Sequence, residues 1–363
     1  MKILIIGAGP IGCYAARLLK EKNHDVEVIE EHPEIGRPVH CSGVFSKQVL
    51  SEIKIPINPD VVINHVDGAQ FFFNSDNFKI ERKDVALIVD RERFDQSLGE
   101  GLSVHFNTRF MGIGREGSGY LVETDKGEFY ADIVIGADGA NSSVRKLGGF
   151  KEEIEYLRGV QFRIEHNNDN KNYVQVYLRH PFFAWVIPEN ENTVRVGIIS
   201  RNPYHDLLEF LKQISLEGKI LEKFAGIVPL GWAQSQQDNL FLVGDAACQV
   251  KPMTHGGVYY GMRCAEILAD CIFENKPHEY ENRWKERFGR EINIGMKIRR
   301  LYERLNHNDA QEIFMILKEN VKLIERFGDF ENHSKILALI VRNPRLQIML
   351  GKVMINMFKD IYF

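Results

Sequence analysis

A short apolar run, Ile3-Leu4-Ile5-Ile6, passes directly into Gly7-Ala8-Gly9-Pro10-Ile11-Gly12, and Cys13 to Lys20 then follows a helical pattern. Four consecutive apolar residues stopped by glycine read as a buried parallel strand. Gly7 permits the tight turn, Gly9 lets the backbone approach a pyrophosphate, and Gly12 lets helix and strand pack closely. The phosphate charge then rests against the free N–H groups of the helix start, where Ile11 sits between the glycines. A second run, Val26 to Ile29, ends in Glu30. That acid lies about 20 residues past the glycines, where a carboxylate accepts from a ribose 2′-OH and disfavours a 2′-phosphate. Strand, glycines, helix, strand and acid in this order constrain the chain to an α/β fold around a dinucleotide.

A second glycine-rich segment narrows the cofactor. Leu240-Phe241-Leu242-Val243 reads as another buried strand and runs into Gly244-Asp245-Ala246-Ala247. A carboxylate at such a strand end can accept from a ribitol hydroxyl. Pro252, Thr254, His255, Gly256 and Gly257 then precede a helical pattern from about Val258 to Asp270. Bare glycine N–H groups at a helix start suit the electron-rich N1/O2 edge of a reduced flavin. Read without a ligand, the same residues make one more βα unit. A late Gly-Asp returning to the ligand of the first turn points to FAD rather than NAD.

Two further segments lie between these. Ala131 to Arg145 holds a strand ending in Gly136-Ala137-Asp138-Gly139, after which Ser142-Ser143 cap a short helix. Val89-Asp90-Arg91-Glu92-Arg93-Phe94-Asp95 is the other. In the order GxGxxG, DRxxFD, GADGxxSxVR and GDAA, the chain resembles the FAD-dependent family that includes p-hydroxybenzoate hydroxylase and the geranylgeranyl reductases. The likeness spans residue 1 to about 270. It implies that Arg91 lies against FAD and that the backbone of Phe110, at the end of the strand entered by Val104, meets the adenine. Taken alone, Arg91 has the alternative reading of a solvated helix-end arginine, and Phe110 reads as easily as simple core.

Two segments choose among subfamilies, and both look like the geranylgeranyl reductases. Gly36-Arg37-Pro38-Val39-His40-Cys41-Ser42-Gly43 matches that family's G-x-P-x-x-C-x-G loop beside the flavin. Pro181-Phe182-Phe183-Ala184-Trp185-Val186-Ile187-Pro188 follows its P-x-x-Y-x-W-x-F-P stretch, with Ile187 in place of phenylalanine. His255 stands where glycine is usual. The resemblance implies hydride transfer from a reduced flavin to the C=C bonds of a geranylgeranyl chain in an isoprenoid membrane lipid or precursor, with a proton arriving from the other side. Cys41 is the candidate acid or positioning group, because an unperturbed thiol stays mostly protonated at neutral pH. Read as packing, it is a small buried residue of the loop. Phe183, Trp185 and His255 are the candidate substrate contacts, and Phe71, Phe73, Phe162 and Phe182 supply further apolar walls. The family allows ferredoxin, NADPH or a deazaflavin as external electron donor. Trp185-Val186-Ile187-Pro188 also resembles a flavin-halogenase stretch, for which Lys79 and Lys83 are the nearby lysines. A monooxygenase or halogenase, or an electron-carrying flavoprotein, is the competing function.

The 363 residues suggest two or three domains. The expected fold class is α/β, α+β overall: a Rossmann-like FAD-binding domain, an antiparallel-sheet substrate domain and a helical C-terminal region. The first takes 1–62, 84–150 and 236–276, the second 63–83 and 151–235, the third 277–363. Gly159–Ile164, Tyr173–Leu178 and Thr193–Ile198 alternate as half-buried strands do, and Ala69 to Phe73 joins them. Net charge is −4, which gives no support for nucleic-acid binding. The five cysteines show neither a CxxC pair nor metal spacing, as expected of free thiols in a reducing cytoplasm. Arg342 to Phe363 is rich in Leu, Ile and Met with Lys352 and Lys359. It is either a helix packed on the body or an amphipathic element resting on lipid, a peripheral membrane contact.

Overall fold

The N-terminal apolar run is an inner strand of a six-stranded sheet. Lys2–Ile6 pairs in parallel with Asp25–Ile29 on one side and Ile133–Gly136 on the other. Leu240–Leu242 and Val104–His105 extend the parallel set outward, and Gln236–Gln237 adds an antiparallel edge. Both faces are covered at the centre, which is why Ile3–Ile6, Ile133–Ile135 and Leu240–Leu242 are apolar without a break. Ile3 and Ile5 pack with the helices Pro10–Glu21 and Val258–Phe273. Leu4 and Ile6 pack against a three-stranded meander, Phe110–Glu116, Gly119–Thr124 and Gly127–Ala131. Because the inner strands are parallel, the Gly7 turn, Glu30, Asp138 and Asp245 all emerge at one end of the sheet, where such folds hold their ligand. The computed structural model describes residues 1–335 together with 344, 345 and 347.

A second sheet has eight strands in the order Lys219–Ala233, Glu152–Glu165, Thr193–Ile199, Phe182–Pro188, Val174–Arg179, Val62–Phe73, Asp76–Val89 and Val44–Ser46. All neighbours are antiparallel except Val174–Arg179 against Val62–Phe73. Three details depart from the sequence reading. Asp76–Val89 is one strand running straight through the expected boundary at 83/84, and it recruits Val44–Ser46 from the dinucleotide half. Thr193–Ile199 is buried at every position rather than alternating, because the Pro203–Gln213 helix seals one face through Leu207, Phe210 and Leu211. Lys219–Ala233 was not anticipated; its pattern is irregular, and Pro229 is tolerated because this is an edge strand.

From residue 277 to 327 the chain is helical: Tyr280–Trp284, a π turn Lys285–Gly289, Arg290–Glu303, His307–Glu319 and Val321–Phe327. His307–Glu319 docks on the second sheet through Phe314, against Phe73 and Phe78. Apart from positions 344, 345 and 347, the segment 342–363 lies outside the described residues. Among the described residues no helix is long and apolar enough to cross a membrane.

Candidate active site

The glycine turn separates three requirements. Gly7 has φ +104°, and a Cβ there would lie 2.6 Å from the Ala137 carbonyl oxygen. A Cβ on Gly12 would overlap the Gly7 carbonyl oxygen. Both glycines are therefore demanded by the protein's own packing. Gly9 is not: a Cβ there meets nothing within 4 Å. Its openness leaves the backbone approachable, as a pyrophosphate needs. The Pro10–Glu21 helix begins at Gly9 with no side-chain cap, and Val258–Phe273 begins at Gly257 likewise. Ile11 sits 3.1 Å from an added Gly244 Cβ and 2.9 Å from one on Gly261, so it wedges the two helix starts beside the Gly244–Ala247 turn. Two uncapped helix N-termini side by side, without an acidic residue in either first turn, fit an anionic ligand.

Other anticipated cofactor residues converge on this end. Glu30 ends its strand with Oε2 accepting from Ala8 N at 2.6 Å and Oε1 from His32 N at 3.0 Å. Asp245 is hemmed in yet partly accessible, and desolvation pushes its carboxyl up to about 6 against the pull of Arg91 and Arg145. A Cβ on Gly257 would lie 2.5 Å from Asp245 Oδ1. Arg91 is buried at a helix start, forked onto Asp95 at 3.0 Å through Nη2 to both carboxylate oxygens. Burial opposes its charge, while Asp95 and the neighbouring Cys41 hold its pKa raised. It is not the solvated arginine that a helix end allows. Phe110 opens a strand of the meander rather than ending the Val104 strand, and its ring packs with Leu4, Ile6 and Ile29. Its neighbour Thr108 donates from N to the Glu30 carbonyl at 2.8 Å, which keeps this backbone beside the acid.

A cavity of about 570 Å³ opens between the second sheet and the Val258–Phe273 helix start. Cys41, Ser42, Phe183, Trp185, His255, Gly256, Gly257 and Val258 all line it, so the structure brings the thiol loop, the aromatic strand and the second glycine segment together. Phe71 joins them, but Phe73 and Phe162 are core side chains and Phe182 does not reach the cavity. Trp185 is firmly seated. Its Nε1 donates to Gln161 Oε1 at 2.8 Å, and it rests over Gly197 of the adjacent strand, where any Cβ would collide with the indole. Val66, Ala69, Val85, Val176, Ile187 and Val228 continue the apolar wall. Lys79 and Lys83 do not line the cavity; Lys79 lies over the Tyr173 ring and pairs with Glu81.

His255 adopts φ +62° and stacks on Phe183, with ring centroids 5.4 Å apart and planes 8° apart. Arg299 Nη1 lies 2.8 Å from its Nε2; since a guanidinium only donates, Nε2 accepts and the proton of the neutral ring is on Nδ1. Burial first, then Arg299 and His333, push its pKa down to about 3. A histidine that charges readily only after unfolding stabilises the fold above its unfolded pKa, and that contribution is lost as pH falls. From pH 7 to pH 5 the loss at this one group is about 2 kcal/mol. A His255→Gln protein is therefore expected to lose less stability over that range, by about the same amount. Parallel urea titrations at the two pH values check this, and identical slopes in both proteins would contradict it.

Sequence reasoning missed several residues that hold these parts in place. Lys251, 4 % exposed, donates from Nζ to Glu331 Oε2 at 2.8 Å and to the Phe330 carbonyl at 3.0 Å, fastening the segment after Val321–Phe327 over the cavity. Burial lowers its pKa, and Glu331 opposes that shift. Arg145 and Arg195 are buried cations of the same kind. The available signal was a charged residue at an otherwise apolar position, as in Val194-Arg195-Val196.

Residues 5–80 match the model of an NAD(P)-binding Rossmann-like domain. A digeranylgeranylglycerophospholipid reductase of Methanosarcina acetivorans is 28% identical over 395 residues, covering 95% of this chain and 94% of that protein. An uncharacterized protein of Methanocaldococcus jannaschii is 32% identical over 379 residues, covering 96% of each. The crystal structure of a geranylgeranyl bacteriochlorophyll reductase-like protein from Thermoplasma acidophilum superposes with a TM-score of 0.83 at 24% identity, over 97% of this chain and 98% of that one. The fold is thus that of a dinucleotide-binding oxidoreductase. More narrowly, the chain belongs to the geranylgeranyl reductase family.

Proposed function

We propose that the chain is an FAD-dependent reductase that saturates C=C bonds in the geranylgeranyl chains of an isoprenoid membrane lipid or its precursor. The observation that carries this reading is one apolar cavity bounded at the same time by Cys41, Trp185 and the Gly256-Gly257 helix start. Its volume lies within the usual range of small-molecule sites, roughly 300–1,000 Å³. When bound along the Gly7–Gly12 turn, Glu30, Arg91, Asp245 and the Val258 helix start, FAD supplies the hydride for such a reduction. The remaining work falls to the chain. Aliphatic walls bind a prenyl segment by excluding water, and Trp185, clamped by Gln161, holds it flat in one orientation. Cys41, which lines this cavity, is the proposed donor of the proton to the alkene carbon that does not take the hydride. The electrons come from an external donor: ferredoxin, NADPH or a deazaflavin. A substrate embedded in lipid brings the protein to the membrane surface.

The test is anaerobic reduction of the purified protein, addition of a digeranylgeranylglycerophospholipid, and mass spectrometry of the lipid. A gain of two hydrogens per double bond is expected; an unchanged lipid beside a flavin that stays reduced would reject the reading. Cys41→Ala should lower turnover by about 10²-fold or more, the usual contribution of a positioned acid. Turnover equal to the parent protein would remove Cys41 from the chemistry while leaving the substrate assignment standing.

A further inference from the structure

Arg195 is a charged residue in the buried strand Thr193–Ile199, 7% exposed, and it belongs to the second sheet. Its Nε donates to Glu189 Oε1 at 2.6 Å. Its Nη1 donates to the Ser42 carbonyl at 2.7 Å and to the Val89 carbonyl at 3.2 Å. Glu189, 3% exposed, accepts from Arg163 Nε through its other oxygen at 2.7 Å. The carboxylate compensates the buried guanidinium, which is then free to satisfy two carbonyls distant in sequence, Ser42 in the thiol loop and Val89 at the end of the strand Asp76–Val89.

Gly43 records the same contact from the loop side. It has φ +75°, and a Cβ there would run into Arg195 Nη1 and lie 2.6 Å from the Val89 carbonyl oxygen. Its own carbonyl accepts from Val89 N at 2.8 Å, and its N–H donates to Cys41 Sγ at 3.4 Å. Thiol, Gly43 N–H and Ser42 carbonyl thus form one turn, and the guanidinium fixes the outer side of it. The glycine at 43 suits a left-handed turn closed on one side by the Val89 carbonyl and on the other by an arginine from a distant strand of the same sheet.

We propose that Arg195 is a positioning residue for the thiol loop: bridging from the second sheet, it sets Cys41–Gly43 against the cavity wall and fixes the direction of Sγ. Its importance to turnover rests on the reading of Cys41 as a group that acts in the cavity; its effect on the loop does not. A lysine can reach one of these acceptors but cannot fork between a carboxylate and two carbonyls, so Arg195→Lys restores the loop only in part.

Alkylation of the purified full-length protein with iodoacetamide, followed peptide by peptide, reads the loop directly. Cys13, Cys248, Cys264 and Cys271 are buried and report on the fold, whereas Cys41 is half-buried and reports on the loop. In Arg195→Gln, Cys41 should label about tenfold faster, the loss of one charge-assisted hydrogen bond, with the other four still protected. Arg195→Lys should fall between the two. An unchanged Cys41 rate with four protected cysteines overturns the proposal. If Arg195→Gln unfolds, so that all five label, Arg195→Lys, which keeps the buried charge, is read alone. Faster Cys41 labelling there supports the proposal, and the parental rate overturns it. Lipid turnover is not read in this experiment, so failure of the reductase assignment and failure of the strut are distinguishable.

Discussion

A Gly9→Val chain is expected to purify folded and nearly colourless, with flavin affinity down by at least about a hundredfold, whereas Gly12→Val should not be recovered folded. The two glycines stand three residues apart in one motif, yet the structure gives them different partners. At position 12 the added carbon overlaps a backbone carbonyl that is itself fixed by Gly7, so the strand and helix must separate. Overpacking that neither a rotamer nor a side chain can relieve costs about 3 kcal/mol or more. At position 9 the backbone is extended, with φ −68° and ψ 177°, which valine accepts without strain, and its Cβ meets no protein atom. What valine removes there is the close approach of a phosphate to bare N–H groups. One or two charge-assisted hydrogen bonds at about 1.5–3 kcal/mol each give the hundredfold figure. Thermal melting and flavin content per chain check the pair. A Gly9→Val protein that binds flavin as the parent does would mean the dinucleotide lies elsewhere.

The division between these glycines marks how far the sequence could be read. Motifs tied to backbone geometry were legible: the first strand, the Gly7–Gly12 turn, the Gly244–Ala247 turn and the Val258 helix all stand where periodicity and glycine spacing put them. Such signals are local, because a tight turn demands glycine whatever surrounds it. Contacts between elements distant in sequence were not legible. Nothing around Phe73 or Phe162 tells a cavity wall from a core, since both need the same apolar side chain; only the docking of Phe314 on Phe73, and of the Pro203–Gln213 helix on Phe162, decides it. Gly197 and Gly43 illustrate the limit. Gly197 is glycine because of the Trp185 indole, and Gly43 because the Val89 carbonyl and the Arg195 side chain close on a left-handed turn.

Arg145→Leu should cost about 3–5 kcal/mol of stability, the usual penalty for removing one partner of a buried ionic network. The guanidinium is fully buried, and all three of its nitrogens have partners. Nη1 donates to the Ala246 carbonyl at 2.7 Å, Nη2 to the Ala140 carbonyl at 2.9 Å and to Tyr156 Oη at 2.7 Å, and Nε to the Glu152 carboxylate. Leucine fills much of the space but leaves two carbonyls, a hydroxyl and a charged carboxylate without their donor. The position matters beyond stability. Ala140 follows the Asp138-Gly139 turn and Ala246 follows Asp245, so one side chain sets the spacing between the third and fourth motifs. Arg145 also helps hold the Asp245 carboxyl down against desolvation. Without that charge Asp245 should take up a proton at higher pH, and flavin retention should weaken as well as fold stability. Arg145→Lys keeps the charge but loses the fork, so it should spare the Asp245 titration more than the stability. Urea unfolding with flavin content measured at each pH separates the two effects. A loss below about 1 kcal/mol for Arg145→Leu would show that water replaces the missing donors and that this arginine does not join the two turns.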